Sequence, residues 1–81
     1  MPYIAQSHRV HLKDKPGDIT STGELNYMIT QVVKTFLDKH GTSYATINNI
    51  TGALENAKLE FYRRVAVPYE DQKIKEHGDV Y

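Results

Sequence analysis

An apolar stripe in the second quarter of the chain constrains the fold most strongly, because its members recur at spacings of three and four. They are Leu25, Met28, Ile29, Val32, Val33, Phe36 and Leu37. This spacing matches the 3.6-residue turn of an α-helix and places the side chains on one face. Ser21 and Glu24 form a capping-box pattern before the stripe, and Gly41 is a natural stop after it. The sequence therefore predicts a helix over residues 22–40.

A second periodic pattern predicts a second helix over residues 44–67. Its main apolar stripe consists of Ile47, Ile50, Leu54, Ala57, Phe61 and Val65. Thr42 or Ser43 can cap this helix at its start. Because the linker is short, the two helices are expected to pack antiparallel as a hairpin. Pro68 is expected to end the second helix or to bend it into a short third helix at roughly 69–76.

These patterns predict an all-α fold, an antiparallel helical hairpin of two long helices with an irregular N-terminal segment and a short C-terminal helix. The irregular segment covers residues 1–20, where a Pro-Gly pair punctuates any regular structure. The helical hairpin domain covers residues 21–81. No internal repeat divides the chain further.

The second helix carries more apolar surface than a hairpin covers. Beside its main stripe runs a second seam at spacings of three and four, formed by Leu59, Tyr62, Ala66 and Tyr69 together with Glu55. The N-terminal segment could fold over one seam, or another subunit could cover it. The chain has 81 residues and no cysteine, so a small core receives no help from disulfides. We therefore expect a homo-oligomer, with the second seam as its interface.

The charge balance restricts the classes of partner. Ten basic and ten acidic residues cancel, so the chain as a whole does not attract nucleic acid or anionic membranes. Duplex nucleic acid is disfavoured as a partner because it demands a broad basic stripe. No segment approaches the ~20 apolar residues of a membrane span, and the N-terminus lacks the pattern of a signal peptide. A cytoplasmic location is expected, which for a viral protein is the host cytosol.

The pair Arg63–Arg64 is the strongest candidate for a binding site. Both arginines can form ion pairs with Glu60, three and four residues earlier on the helix. Alternatively, guanidinium groups bind phosphate through paired hydrogen bonds, and neighbouring tyrosines can stack on a base or ring. The second interpretation predicts a site for a small anionic ligand or a host protein. Its residues are Lys58, Tyr62, Arg63, Arg64 and Tyr69.

No motif in the sequence indicates catalysis. His8 and His11 are three residues apart, but they fall in the irregular segment and lack the H-E-x-x-H pattern of a zinc enzyme. They are therefore interpreted as ordinary surface histidines. The chain has no nucleophile elbow and no Gly-rich phosphate loop. We expect no catalytic residue, no metal site and no cofactor, and hence not an enzyme.

Several blocks of the sequence are similar to a known group of proteins. The most specific block is Ala57–Val65, and others are Met1–Ile4, Gly23–Tyr27, Ser43–Asn48, Gly52–Glu55, Pro68–Asp71 and Gly78–Tyr81. Together they resemble a family of small bacteriophage and prophage proteins. The family has no activity to carry over, so the resemblance implies a phage context and assigns no catalytic residue.

Three functional hypotheses follow, of which a small metal-dependent enzyme that uses His8 and His11 is the least favoured. The first is a non-enzymatic, oligomeric binding protein that acts as a phage counter-defence factor, either by occluding a host protein or by sequestering a nucleotide signal. The alternative is a structural or regulatory phage accessory module, associated with the virion or with replication.

Overall fold

A computed structural model describes residues 16–81. Most of the predicted irregular segment, including His8 and His11, lies outside these residues. At the start of the described residues lies a 3-10 turn at Pro16–Asp18, and the helices follow it. From there to residue 81 the regular structure is entirely helical, with no strand, which confirms the all-α class for this part of the chain.

The first helix, α1, spans Thr22–His40, as the periodicity predicts. It begins with the predicted capping box. The Oγ atom of Ser21 accepts a hydrogen bond from the amide of Glu24 at 3.1 Å, and the Glu24 carboxylate accepts one from the amide of Ser21 at 3.2 Å. At the other end Gly41 adopts φ of 82° and donates its amide to the carbonyl of Leu37. A positive φ favours glycine, which explains why the helix stops there.

The second helix, α2, spans Tyr44–Phe61. Of the two candidate caps, Ser43 fills the position, since its Oγ atom accepts a hydrogen bond from the amide of Thr46 at 3.1 Å. Ser43 also donates its hydroxyl proton to the hydroxyl oxygen of Thr46, also at 3.1 Å. Thr46 is buried, and its polar side chain is thus satisfied locally.

Of the two expectations at Pro68, an end of the helix is wrong, whereas a further short helix is found close to the expected residues 69–76. A π-helical turn at Tyr62–Ala66 follows α2 directly, and a further α-helix, α3, continues over Val67–His77. Within the turn, the amide of Val67 donates to the carbonyl of Tyr62, five residues earlier. A proline ring collides with the carbonyl four residues before it in a regular helix. The wider turn ahead of Pro68 relieves this collision, so the helix does not end. We call α2, the π turn and α3 together the long helix.

The chain divides into two compact units, Met1–Thr46 and Ile47–Tyr81. The second unit consists of the long helix from Ile47 onward and a short tail. Gly78 ends the helix with φ of 90° and donates its amide to the carbonyl of Ile74 at 2.8 Å. Antiparallel packing of the predicted hairpin stays a prediction. No helix between residues 16 and 81 has the length and apolar character needed to cross a membrane.

Candidate functional site

The residues predicted to bind a ligand or partner lie across the end of α2, the π turn and the start of α3. We call them the binding segment, and they are Lys58, Tyr62, Arg63, Arg64 and Tyr69. All five are exposed, so a ligand or a partner could reach each of them.

Glu60 lies at the centre of the charges in the binding segment. Its two carboxylate oxygens accept hydrogen bonds from Nη2 of Arg63 and from Nε of Arg64, which confirms both predicted ion pairs. These side chains are well exposed, so the pairs contribute little to stability. One carboxylate faces two guanidinium groups, and each guanidinium carries five N–H donors. The cluster therefore keeps one net positive charge and several donors for another acceptor.

Lys58 forms its ion pair with a different carboxylate from the one that the arginines share. Its Nζ atom lies 3.6 Å from a carboxylate oxygen of Glu55, one turn earlier on α2. Both side chains are more than half exposed, so this ion pair is weak and Lys58 can exchange it for another anion. The structure thus places the lysine beside the arginine cluster without joining it to that cluster.

The two tyrosines of the binding segment contact different residues of α3. The hydroxyl of Tyr62 donates to the carboxylate of Glu70 at 3.5 Å. The ring of Tyr69 lies below the ammonium group of Lys73, at 5.4 Å from the ring centroid. A cation over a ring face is a favourable but weak contact at an exposed site.

The contact between Tyr62 and Glu70 shows how the π turn changes the helix faces. Residues eight apart lie about 80° apart around an uninterrupted α-helix. Because the π turn holds one additional residue, Glu70 comes into line with Tyr62. Each residue after the turn therefore occupies the position around the helix axis that the residue before it would hold in a regular helix. This shift applies to Val67, Glu70 and Ile74.

The predicted second seam is altered by the same turn. The turn rotates Ala66 and Tyr69 away from the line that Leu59 and Tyr62 form along the helix. Val67 and Ile74 join that line in their place. The interface role of the predicted seam stays a prediction. Sequence reasoning missed Val67 and Ile74 because it counted regular turns through Pro68. The available signal was that apolar residues continue after the proline, with an offset of one position.

Large apolar side chains are exposed on more than one side of the long helix. Phe61 is 64% exposed, Val65 52%, Leu59 47%, Ile74 42% and Val67 37%. Taken by itself, the second unit is one helix with a tail, so it contains no further element that could cover both sides. Exposed apolar patches of this kind mark interaction surfaces.

The part of the chain that the structure describes holds no group of three His, Cys, Asp or Glu side chains placed to bind a metal ion. An open groove does run along α3 and the tail. It is lined by Tyr62, Glu70, Lys73, Ile74, His77, Gly78, Asp79, Val80 and Tyr81.

Comparison with known proteins places nearly the whole chain in one family. The model of a domain of unknown function, DUF6899, matches residues 1–80. No curated protein and no solved structure matches the chain. The family description names no activity, substrate or host.

Proposed function

The chain belongs to the DUF6899 family, whose function is unknown, and from the surface of its long helix we propose that it is a non-enzymatic, self-associating binding protein. The observation that carries this proposal is the exposure of large apolar side chains beside a cluster with unmatched positive charge. Apolar side chains of this size stabilise a small domain only when another surface covers them. Other copies of the same chain supply that surface.

The binding segment recognises an anion in this proposal. Arg64 carries the recognition, because its guanidinium keeps donors beyond the one that Glu60 occupies. Tyr62 and Tyr69 are 52% and 62% exposed as whole residues, so their aromatic rings are accessible to a ligand. Guanidinium donors with aromatic faces suit a phosphate group attached to a base, and they also suit an acidic protein surface. Although the net charge of the chain is zero, an oligomer carries one such site on each of its chains.

The phage context of the proposal comes from the resemblance of the sequence blocks to phage and prophage proteins. In that context the protein acts as a counter-defence factor, which either sequesters a nucleotide signal or occludes a host protein. The structural or regulatory accessory role is the competing hypothesis. Copurification of the protein with virions would favour that role over counter-defence.

Two measurements test the proposal. Light scattering at micromolar concentration should give a mass of two or more chains, and a monomer would contradict self-association. Calorimetry against cyclic di- and oligonucleotides should then show binding. Arg64→Ala should weaken binding by about tenfold or more, because a charge-assisted hydrogen bond contributes about 1.5–3 kcal/mol.

Lys75→Ala is the matched control, because it removes the same charge from an exposed position of the long helix outside the binding segment. Equal losses for the two variants would indicate a general charge effect and contradict a specific site. If no nucleotide binds, capture of a host protein from lysate, lost in Arg64→Ala, is the expected result for occlusion.

A further inference from the structure

We propose that two copies of the chain pair antiparallel through one row of the long helix, with Arg63 of each copy facing the partner's Asp71. The row consists of Leu59, Arg63, Val67, Asp71 and Ile74, and we call it the pairing row. This inference rests on the self-association proposed above, and it names the residues that make the contact.

The π turn makes the pairing row straight. The first four residues of the pairing row follow one another at spacings of four, and they are Leu59, Arg63, Val67 and Asp71. In a regular α-helix each such step rotates the next residue by about 40° around the axis. Over three steps the drift would carry Asp71 about 120° away from Leu59. The additional residue in the turn at Tyr62–Ala66 takes up most of this drift. The hydrogen bond from the Tyr62 hydroxyl to the Glu70 carboxylate shows this shift directly, because it joins two residues on either side of the turn.

The order of chemical types along the row makes it complementary to itself. It reads apolar, basic, apolar, acidic, apolar. In a two-fold contact, if one residue meets a second, the second also meets the first. Arg63 and Asp71 lie equally far on either side of Val67, so an antiparallel pair centred on Val67 brings each arginine to the partner's Asp71. The same pairing sets Leu59 within one residue of the partner's Ile74.

The charged groups that this contact uses are available. Asp71 is exposed and takes part in no ion pair among residues 16–81. Arg63 shares its carboxylate partner, Glu60, with Arg64. Arg63 therefore has donors for the partner's Asp71. Arg64 lies about a quarter-turn further around the helix and keeps its donors for an anion. Self-association and anion binding thus use different arginines.

The apolar members of the row are suited to an interface. Leu59 is 47% exposed, Ile74 42% and Val67 37%. Antiparallel pairing covers Val67 with the same residue of the partner and places an apolar contact at each end. Charged pairs on either side of an apolar centre fix the register, because a parallel arrangement brings like charges together and a shifted antiparallel one separates the opposite charges.

A reciprocal charge exchange tests the contact. Arg63→Asp and Asp71→Arg should each weaken self-association on the order of tenfold, because each places like charges opposite one another at both symmetric junctions. The double variant Arg63→Asp with Asp71→Arg should return to within about threefold of the original dissociation constant. The double variant keeps the repulsion against Glu60 that Arg63→Asp introduces within one copy. Recovered self-association would therefore report the contact between copies.

Single cysteines test the direction of pairing, since the chain has none of its own. In oxidised glutathione, a mixture of Leu59→Cys and Ile74→Cys should form a disulfide between the two different variants. Leu59→Cys alone should remain uncrosslinked. A disulfide between two Leu59→Cys copies would instead indicate parallel pairing and overturn the proposal.

The two proposals fail in distinguishable ways. A monomeric original chain contradicts both the self-association and the pairing row. An oligomer that shows neither recovery in the double variant nor the mixed disulfide overturns the pairing row and leaves self-association through another face.

Discussion

Pro68→Ala is the sharpest perturbation of the long helix, because the proline explains the position of the π turn. In the original chain the amide of Val67 bonds to the carbonyl of Tyr62, five residues earlier. Alanine restores an N–H at position 68 and removes the ring that opposes a regular turn. The variant should therefore form an uninterrupted α-helix, in which Asp71 and Ile74 rotate by about 100° away from Leu59 and Arg63.

The size of the effect follows from known helix preferences. Proline inside a helix costs about 3 kcal/mol relative to alanine. Because the wide and the regular turn are both folded states, the balance between them should shift by up to about 3 kcal/mol, which is on the order of a hundredfold. We expect self-association to weaken by at least about tenfold, while the helix content seen by circular dichroism is retained.

Sedimentation equilibrium measures the dissociation constant, and a second variant provides the control. Deleting Ala66 in the Pro68→Ala background removes the additional residue, so that Val67, Asp71 and Ile74 return to the line of Leu59 in a regular helix. Self-association should recover. A Pro68→Ala variant that associates as tightly as the original chain would contradict the role of the π turn, and so would a deletion variant that is helical but does not associate.

Three further substitutions give separate expectations. Ser21→Ala removes the acceptor of the Glu24 amide and should destabilise the fold by about 1 kcal/mol, measured by chemical denaturation; no change would contradict the capping role. Gly52→Ala should stabilise the fold by about 1 kcal/mol in the same assay, since nothing lies within 4 Å of the added methyl group. A loss of self-association in this variant would reveal a close contact at Gly52 between copies. Glu60→Gln should tighten anion binding several-fold at low salt, because it leaves Arg64 without its carboxylate partner, and the gain should fade as salt rises.

The sequence predicts α1 well because its signals are local. A capping box, a regular apolar stripe and a terminal glycine each act within a turn or two, and the helix spans Thr22–His40 as expected. The ion pairs of Glu60 with Arg63 and Arg64 were predictable for the same reason, since their spacing depends only on a regular helix.

The long helix was harder to predict because two rules compete at Pro68. The missing N–H of proline favours a helix end, whereas apolar residues continue beyond it as far as Ile74. The structure satisfies both through one wide turn, which the regular count of 100° per residue does not include. The contact of Tyr62 with Glu70 could not be foreseen, because at regular spacing these residues lie about 80° apart.

The π turn lies off-centre in the long helix, and this position has a consequence for valency. Val67 is about 30 Å along the helix from Ile47 but only about 15 Å from His77, at 1.5 Å per residue. In an antiparallel pair centred on Val67, residues 47–56 of each copy extend beyond the overlap, at opposite ends. The pair is then bivalent. A third molecule that binds both ends at once would bind more tightly than one that binds a single end. The gain in affinity comes from its raised effective concentration at the second end, and not from any additional contact.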